Sequence, residues 1–394
     1  MNNTIKLAVA SALLAAASSA SAAGGIVAGD WTLDVGGVVN AYYTNTKTNG
    51  AQTVNNITTG LLPNYLSVSG KTRQNDLDVA FTISIQPGAS TTQSGIQSGG
   101  GSGGDVNAAN QENRQAFLTF GDASWGSIKL GKDIGIYASD AILNDMTLLG
   151  VGRGAGALAG NTTTLGRIGG GYMYADWKAQ AAYTTPNFNG FSATVGVTQA
   201  WNTKGTDSAA SSLRGGGEPA IETKASYAFA ADAVNGKVWV SGLTQNVQLS
   251  TTVERTSSAW DIGANVNAAG FGLTGYYGEG KGTGTVVQFA QAYTNENDKR
   301  DSSDWYVQAT YTVPGVGTKL GASYGESKLE GVATNDTFNS QTNEQYTFGA
   351  YHPLTKHLNL VAEYTEFDAK RDNTSIADTS TKGKTYSLGA ILFF

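Results

Sequence analysis

The chain has 394 residues, 52 of them Gly, with 40% hydrophobic and 14% charged residues and a formal net charge of −6. That length suffices for one large domain or two, and an acidic balance without a basic stripe counts against a nucleic-acid binder, whose affinity rests on Lys and Arg. The absence of Cys, and a His content limited to His352 and His357, remove disulfides, thiolate chemistry and the usual ligands or bases of most metallo- and nucleophilic enzymes.

Residues 1–22 read as an export signal, with Lys6 in the basic region, an apolar run from Leu7 to Ala17 and an Ala20-Ser21-Ala22 cleavage site. The mature chain is expected to begin at Ala23 and to form one domain over 23–394. No later run of about 18 apolar residues exists, so no transmembrane helix is expected.

From Trp31 onward the dominant signal is period two. Trp31, Leu33, Val35, Val39 and Tyr43 alternate with Thr32, Asp34, Asn40 and Tyr42, which puts an apolar and a mostly polar row on opposite faces of a strand. Leu77, Val79, Phe81, Ile83 and Ile85 against Asp76, Asp78, Thr82, Ser84 and Gln86 repeat the pattern, and the carboxylates make the second face wet. It recurs around Tyr183, Val195, Tyr227, Ile262, Leu273, Val307, Tyr324, Phe348, Leu360 and Leu388. Strands near Leu66, Phe117 and Val238, and the start of the strand before Tyr183, have the faintest alternation.

Short Gly, Pro, Asn or Asp turns are expected near 70–75, 121–126, 186–190, 231–236, 268–270, 313–317 and 352–357. Long polar connections are expected near 45–63, 87–111, 133–170, 199–220, 244–258, 279–302, 325–343 and 366–384. Eight long and seven short connections join 16 strands, with both chain ends on the short-turn side. The expected fold is all-β: a 16-stranded antiparallel transmembrane β-barrel, with aromatics such as Trp31, Tyr183, Phe271 and Trp305 at strand ends as interfacial girdles.

Three stretches carry a resemblance. The chain ends Tyr386-Ser387-Leu388-Gly389-Ala390-Ile391-Leu392-Phe393-Phe394, an alternating strand with a final Phe. Residues 183–191 read Tyr-Thr-Thr-Pro-Asn-Phe-Asn-Gly-Phe, and Phe120-Gly121-Asp122 is followed by Trp125-Gly126-Ser127-Ile128-Lys129-Leu130-Gly131-Lys132. The sequence resembles the general porins of Gram-negative bacteria, of the proteobacterial type. That resemblance implies an outer-membrane homotrimer with a third loop folded into the lumen, here 133–170, which places Asp133, Asp140 and Asp145 opposite wall cations. Arg114 and Arg167 match wall arginines of the family, and Lys129 has an inward phase between Ile128 and Leu130. Phe394 matches the residue that the barrel-assembly machinery reads. The acidic Pro-Glu-Phe-Gly-Gly-Asp stretch of enterobacterial third loops is absent, and Tyr65 stands where a third wall arginine is usual, so ion preference does not carry over.

The expected function is a water-filled channel for passive diffusion of small hydrophilic solutes and ions in the outer membrane of a Gram-negative bacterium, with no cofactor, metal or catalytic step. A solute-specific channel is the alternative, hinted at by Tyr42 on the inner row. A barrel phospholipase would need a Ser–His pair at the outer leaflet, and both His lie at the other end. A surface adhesin would need loops larger than these. Asp140 and Asp145 have a second reading, in which they fix the loop by bonding its backbone. Asp76, Asp78, Lys178, Lys224 and Glu363 read as charges that hydrate a lumen. Lys299, Arg300, Lys370 and Arg371 read as surface charge near lipopolysaccharide.

Overall fold

The computed structural model describes residues 25–89, 111–154, 163–202, 213–214, 217–231, 233–250, 252–332 and 336–394. The export signal expected over 1–22 and the Gly-rich stretch 99–104 lie outside them. Sixteen long strands form within the described residues. They are β1 (Trp31–Thr48), β2 (Tyr65–Gln74), β3 (Leu77–Pro87), β4 (Gln111–Asp122), β5 (Gly126–Ile134), β6 (Trp177–Thr184), β7 (Phe191–Thr198) and β8 (Ala220–Ala231) in the first half. β9 (Val234–Gln248), β10 (Glu254–Ala268), β11 (Phe271–Lys281), β12 (Asp301–Thr312), β13 (Lys319–Glu330), β14 (Phe338–Pro353), β15 (Leu358–Asn373) and β16 (Thr379–Phe393) complete it. A short ribbon, Val54–Thr58, continues the wall beside β1 above the start of β2.

Each strand pairs antiparallel with the next, and β1 closes the barrel: its first half pairs with β2 from Thr32↔Lys71 to Val38↔Tyr65, and its second half with β16 from Val38↔Phe393 to Thr48↔Gly383. Closure leaves no open sheet edge along the seam, as an apolar solvent demands. The two faces differ as the alternation requires. Val35, Val39 and Tyr43 of β1 are exposed on the outer face, whereas Val38, Asn40, Tyr42 and Thr44 are buried on the inner one. On β16, Tyr386, Leu388 and Leu392 point outward in the same way. Outer aromatics pair across neighbouring strands, with ring centroids 5.9 Å apart for Trp260–Tyr277, 5.4 Å for Trp305–Tyr324 and 4.9 Å for Tyr364–Tyr386.

Several boundaries differ from the sequence expectation. The β2–β3 reversal lies at Asn75 and Asp76, both at positive φ (48° and 62°), at the far end of the expected 70–75 turn. Gly70 sits within β2 under the Phe81 ring. The connections expected over 244–258, 325–343 and 366–384 are mostly strand: β9 runs to Gln248, β13 to Glu330, and β15 and β16 to Asn373 and from Thr379. These extensions are polar on their outer face and carry only scattered apolar residues inward, such as Val247, Leu329, Phe338 and Phe367, so the hydrophobic alternation fades while the backbone ladder continues. His352 belongs to β14 opposite Leu360, with Nδ1 2.9 Å from Thr318 Oγ1, and is not a turn residue. Arg300 is not surface charge: it is 1% exposed and binds Asp336 through Nε (2.8 Å) and Nη2 (2.5 Å).

Between β5 and β6 the chain makes a short helix α1 (Ser139–Leu143) and a 3-10 turn (Met146–Leu149). Apolar residues of this segment pack against aromatic side chains of the inner wall: Ile142, Leu148 and Ile168 against Trp239, Tyr276 and Tyr306, and Met146 and Val151 beside Tyr42, Tyr351 and Val361.

Candidate functional site

The segment leaves β5 at Ile134 and returns at Trp177, and its two limbs meet at Gly135, whose amide donates to Asp176 O (2.8 Å). A Cβ at Gly135 would lie 2.3 Å from Ala175 O, so only Gly permits that approach. The segment is then bonded to inner-row side chains around much of the barrel. Glu222 of β8 accepts the amides of Ile136 (2.7 Å) and Tyr137 (2.9 Å). Gln308 of β12 accepts from Met146 N (2.7 Å), Ser327 of β13 from Gly171 N (3.0 Å), and Glu363 of β15 from Val151 N and Gly152 N (2.7 Å each).

The expected site residues divide into separate groups. Asp140, on α1, meets two ammonium groups: Lys237 Nζ at 2.5 Å and Lys224 Nζ at 3.1 Å. Burial alone would push its carboxyl up, yet the two lysines together hold it below the ordinary carboxylate range. Asp145 bonds the loop to itself, accepting from Thr147 N (2.9 Å), Thr147 Oγ1 (2.7 Å) and the Tyr172 hydroxyl (2.8 Å). Arg167 is wholly buried, donating from Nη1 to Gln345 O (2.9 Å) and Gly170 O (3.1 Å) and from Nη2 to Ser323 Oγ. Burial pulls its guanidinium below the ordinary value. It lies in the loop, before the start of β6.

Lys129 and Asp133 sit on the inner row of β5 and bind each other, with Gln115 Nε2 donating to Asp133 at 3.1 Å and the Lys129 ammonium 4.8 Å from the Phe117 ring centre. Arg114 stands apart. It lies at a bulge between Glu112 and Gln115, where β3 and β4 slip register, and its guanidinium lies 5.8 Å from the Trp177 ring centre. With Lys132 and Trp177 it lines a cavity of about 520 Å³, whose other lining residues include Leu62 from the segment before β2 and Ile142 and Leu148 from the loop.

Reasoning from the sequence missed Lys237 and Glu222. The Lys178–Glu222 pair is wholly buried at 2.5 Å, and Thr198 (3.0 Å to Glu222) and Gln288 (2.6 Å to Lys178) complete its shell. Its signal was present, since Glu222 and Lys224 alternate with Ala225 and Tyr227. Tyr42, the hint of a solute track, spends its hydroxyl on Leu149 O (2.7 Å). Phe394 exchanges two backbone hydrogen bonds with Gly37, N–H to O at 3.1 Å and 2.9 Å, at the β1–β16 seam.

The family described as Gram-negative porin matches residues 8–372. No curated protein sequence matches the chain. Among solved structures it is similar to the outer-membrane channel DcaP of Acinetobacter baumannii, at TM-score 0.64 and 15% identity over 94% of this chain and 100% of that one. It is also similar to the anion-selective porin of Comamonas acidovorans, at TM-score 0.60 and 16% identity over 92% and 100%. A trimer form of OmpT from Vibrio cholerae aligns at TM-score 0.53 and 14% identity over 92% and 99%.

Proposed function

The chain belongs to the Gram-negative porin family and forms a passive-diffusion channel of the outer membrane, and from this premise we propose that the segment between β5 and β6 narrows the lumen and that the channel favours small anions. The observation that carries the preference is the Asp140 cluster. One carboxylate, 1% exposed, faces two ammonium groups, and the Lys224 side chain keeps 22% of its surface open. The member of the cluster that reaches passing solute is therefore an ammonium, although the whole chain is acidic. A fixed ammonium in a low-dielectric lumen raises the local anion concentration.

The other loop carboxylates support the same sign. Asp145 is 2% and Glu363 5% exposed, each spent on hydrogen bonds to the loop, so neither presents free negative charge. The porin fold shared with the Comamonas protein, which is described as anion-selective, is compatible with this reading. A homotrimer belongs to it too, supported by the OmpT trimer form, as does recognition of Phe394 by the barrel-assembly machinery. No catalytic step enters this account.

The test is the reversal potential in a KCl gradient. Wild type should reverse on the chloride side, Lys224→Gln with Lys237→Gln should move toward potassium, and Asp140→Asn should move further toward chloride. Identical reversal potentials in all three would remove the cluster from the permeation path.

A further inference from the structure

The connection from β11 to β12, residues 282–300, is partly apolar: Val286, Val287, Phe289, Ala290, Ala292 and Tyr293 all fall within 286–293. Its ends lie together, with Gly282 N donating to Arg300 O (2.8 Å) next to the Lys281↔Asp301 pair. Between them the chain folds back on itself. Phe289 N donates to Thr283 O (2.6 Å), Arg300 N to Ala292 O (2.9 Å), and Arg300 Nη1 to Gln291 O (2.8 Å) and Tyr293 O (3.0 Å). Phe289, Ala292 and Tyr293 are buried against Trp201, beyond β7, and Val247 and Leu249 at the end of β9. Val247 belongs to the inner row of β9 with Trp239 and Ser241, so this packing lies on the inside of the wall.

The connection reaches further still. Val286 O accepts from Tyr174 N (2.9 Å), and the Lys178 ammonium, on the inner row of β6, donates to Gln288 Oε1 (2.6 Å). Val286 also packs with the cluster of Ile168 and Tyr172, and a Cβ on Gly169 (φ 71°) would lie 2.7 Å from its Cγ2. In the order of the wall β6 is five strands from β11, so the connection passes inside β7 to β10 to meet the returning limb of the β5–β6 segment. In a run where Thr285, Gln288 and Phe289 are buried, Val286 and Val287 keep part of their surface open. Both line the cavity of about 520 Å³ that Leu148 and Ile168 of the segment share with Arg114 and Trp177.

We propose that Val286 and Val287 form an apolar lip on the solute path, a second narrowing supplied by the β11–β12 connection. The inference rests on the reading that the β5–β6 segment narrows the lumen, and adds to it a constraint of another kind. A valine side chain offers neither charge nor hydrogen bond, so the lip discriminates by width and by the cost of stripping water from a polar solute. The ammonium groups around Asp140 discriminate by sign instead. Arg300 at one end, the Gly282–Arg300 bond at the base and Lys178 at the far side hold the connection in place, so the lip is a fixed part of the channel and not a gate.

The chain has no Cys, so Val287→Cys introduces a single thiol into the full-length protein. Its single-channel conductance in a planar bilayer is recorded before and after N-ethylmaleimide, a neutral reagent, with labelling followed by mass. Labelling should produce a stepwise loss of conductance. Asn295→Cys, exposed on the same connection and outside the cavity lining, should label without loss. Replacing 283–299 by a short Gly-Ser link across the bonded Gly282–Arg300 pair should raise the conductance, and decides the matter if Val287→Cys fails to fold, folding being checked by the heat-dependent shift in gel migration. Failure of folded Val287→Cys to label, labelling without loss, or wild-type conductance in the folded shortened chain overturns the proposal. None of these readouts depends on ion sign: a channel that prefers potassium yet loses conductance on labelling refutes the anion preference and keeps the lip, and one that prefers chloride but ignores the label does the reverse.

Discussion

Lys178 and Glu222 are wholly buried, so each charge is tolerable only beside the other. Removing one partner strands the second in a low dielectric at a cost of about 3–5 kcal/mol. Lys178→Met is therefore expected to lower markedly the temperature at which the compact barrel is lost, read as the disappearance of the fast-migrating band. Adding Glu222→Gln should recover part of the loss, because the amide still accepts from Ile136 N and Tyr137 N. A single variant as stable as wild type would show that the pair does not anchor the loop.

Asp140 adds a pH dependence whose sign follows from its environment. Burial opposes ionisation, but Lys224 and Lys237 outweigh it and hold the folded-state value below the ordinary one. Its contribution is fully present above the usual carboxylate pKa of about 4 and is lost as pH falls through the lowered folded value. The gap in reversal potential between wild type and Asp140→Asn should stay constant from pH 7 to about pH 4 and close only below that. Closure between pH 7 and 5 would contradict the assignment.

At the scale of elements, the seam between β1 and β16 decides whether a sheet becomes a barrel. Gly37 and Phe394 exchange both backbone hydrogen bonds there, and a Cβ on Gly37 would lie 2.4 Å from Tyr65 O and 2.6 Å from the Phe394 ring. Phe394→Ala removes the ring and spares the two backbone bonds, whereas deleting residue 394 removes all three contacts. Deletion should therefore reduce the folded fraction in outer-membrane preparations more than Phe394→Ala does, and Gly37→Val should resemble deletion. Equal, wild-type levels for all three would mean that the seam tolerates an open end.

The loop between β5 and β6 was legible in the sequence only in part. Its length and its acidic residues were legible, and so was the alternative role of Asp145 as a residue that bonds the loop backbone. Its partners were not, because Glu363 meets Val151 across more than 200 positions and Arg167 meets Ser323 across 156. No local period reports such contacts.

For the whole molecule, the number of strands and the side each residue faces followed from period two wherever lipid supplies an apolar solvent, as with Val35, Val39 and Tyr43 or Tyr386, Leu388 and Leu392. The pattern failed above the lipid, where polar residues such as Gln245, Asn343 and Lys370 continue ladders without an apolar outer face. It also hid Lys237, which sits just after the expected 231–236 turn but lies within β9, on the inner row with Trp239 and Ser241. The site was thus readable as a set of inward charges and unreadable as pairs, since pairing depends on which loop atom each strand residue reaches.

A passive pore whose narrow section presents ammonium groups should both conduct and prefer anions. Single-channel recording of wild-type protein in a planar bilayer under a KCl gradient tests both parts in one trace. Stepwise conductance reversing toward the chloride equilibrium potential is the predicted result, with the shift shrinking at high salt as the lysine charges are screened. A silent membrane, or steps reversing toward the potassium potential, would contradict it.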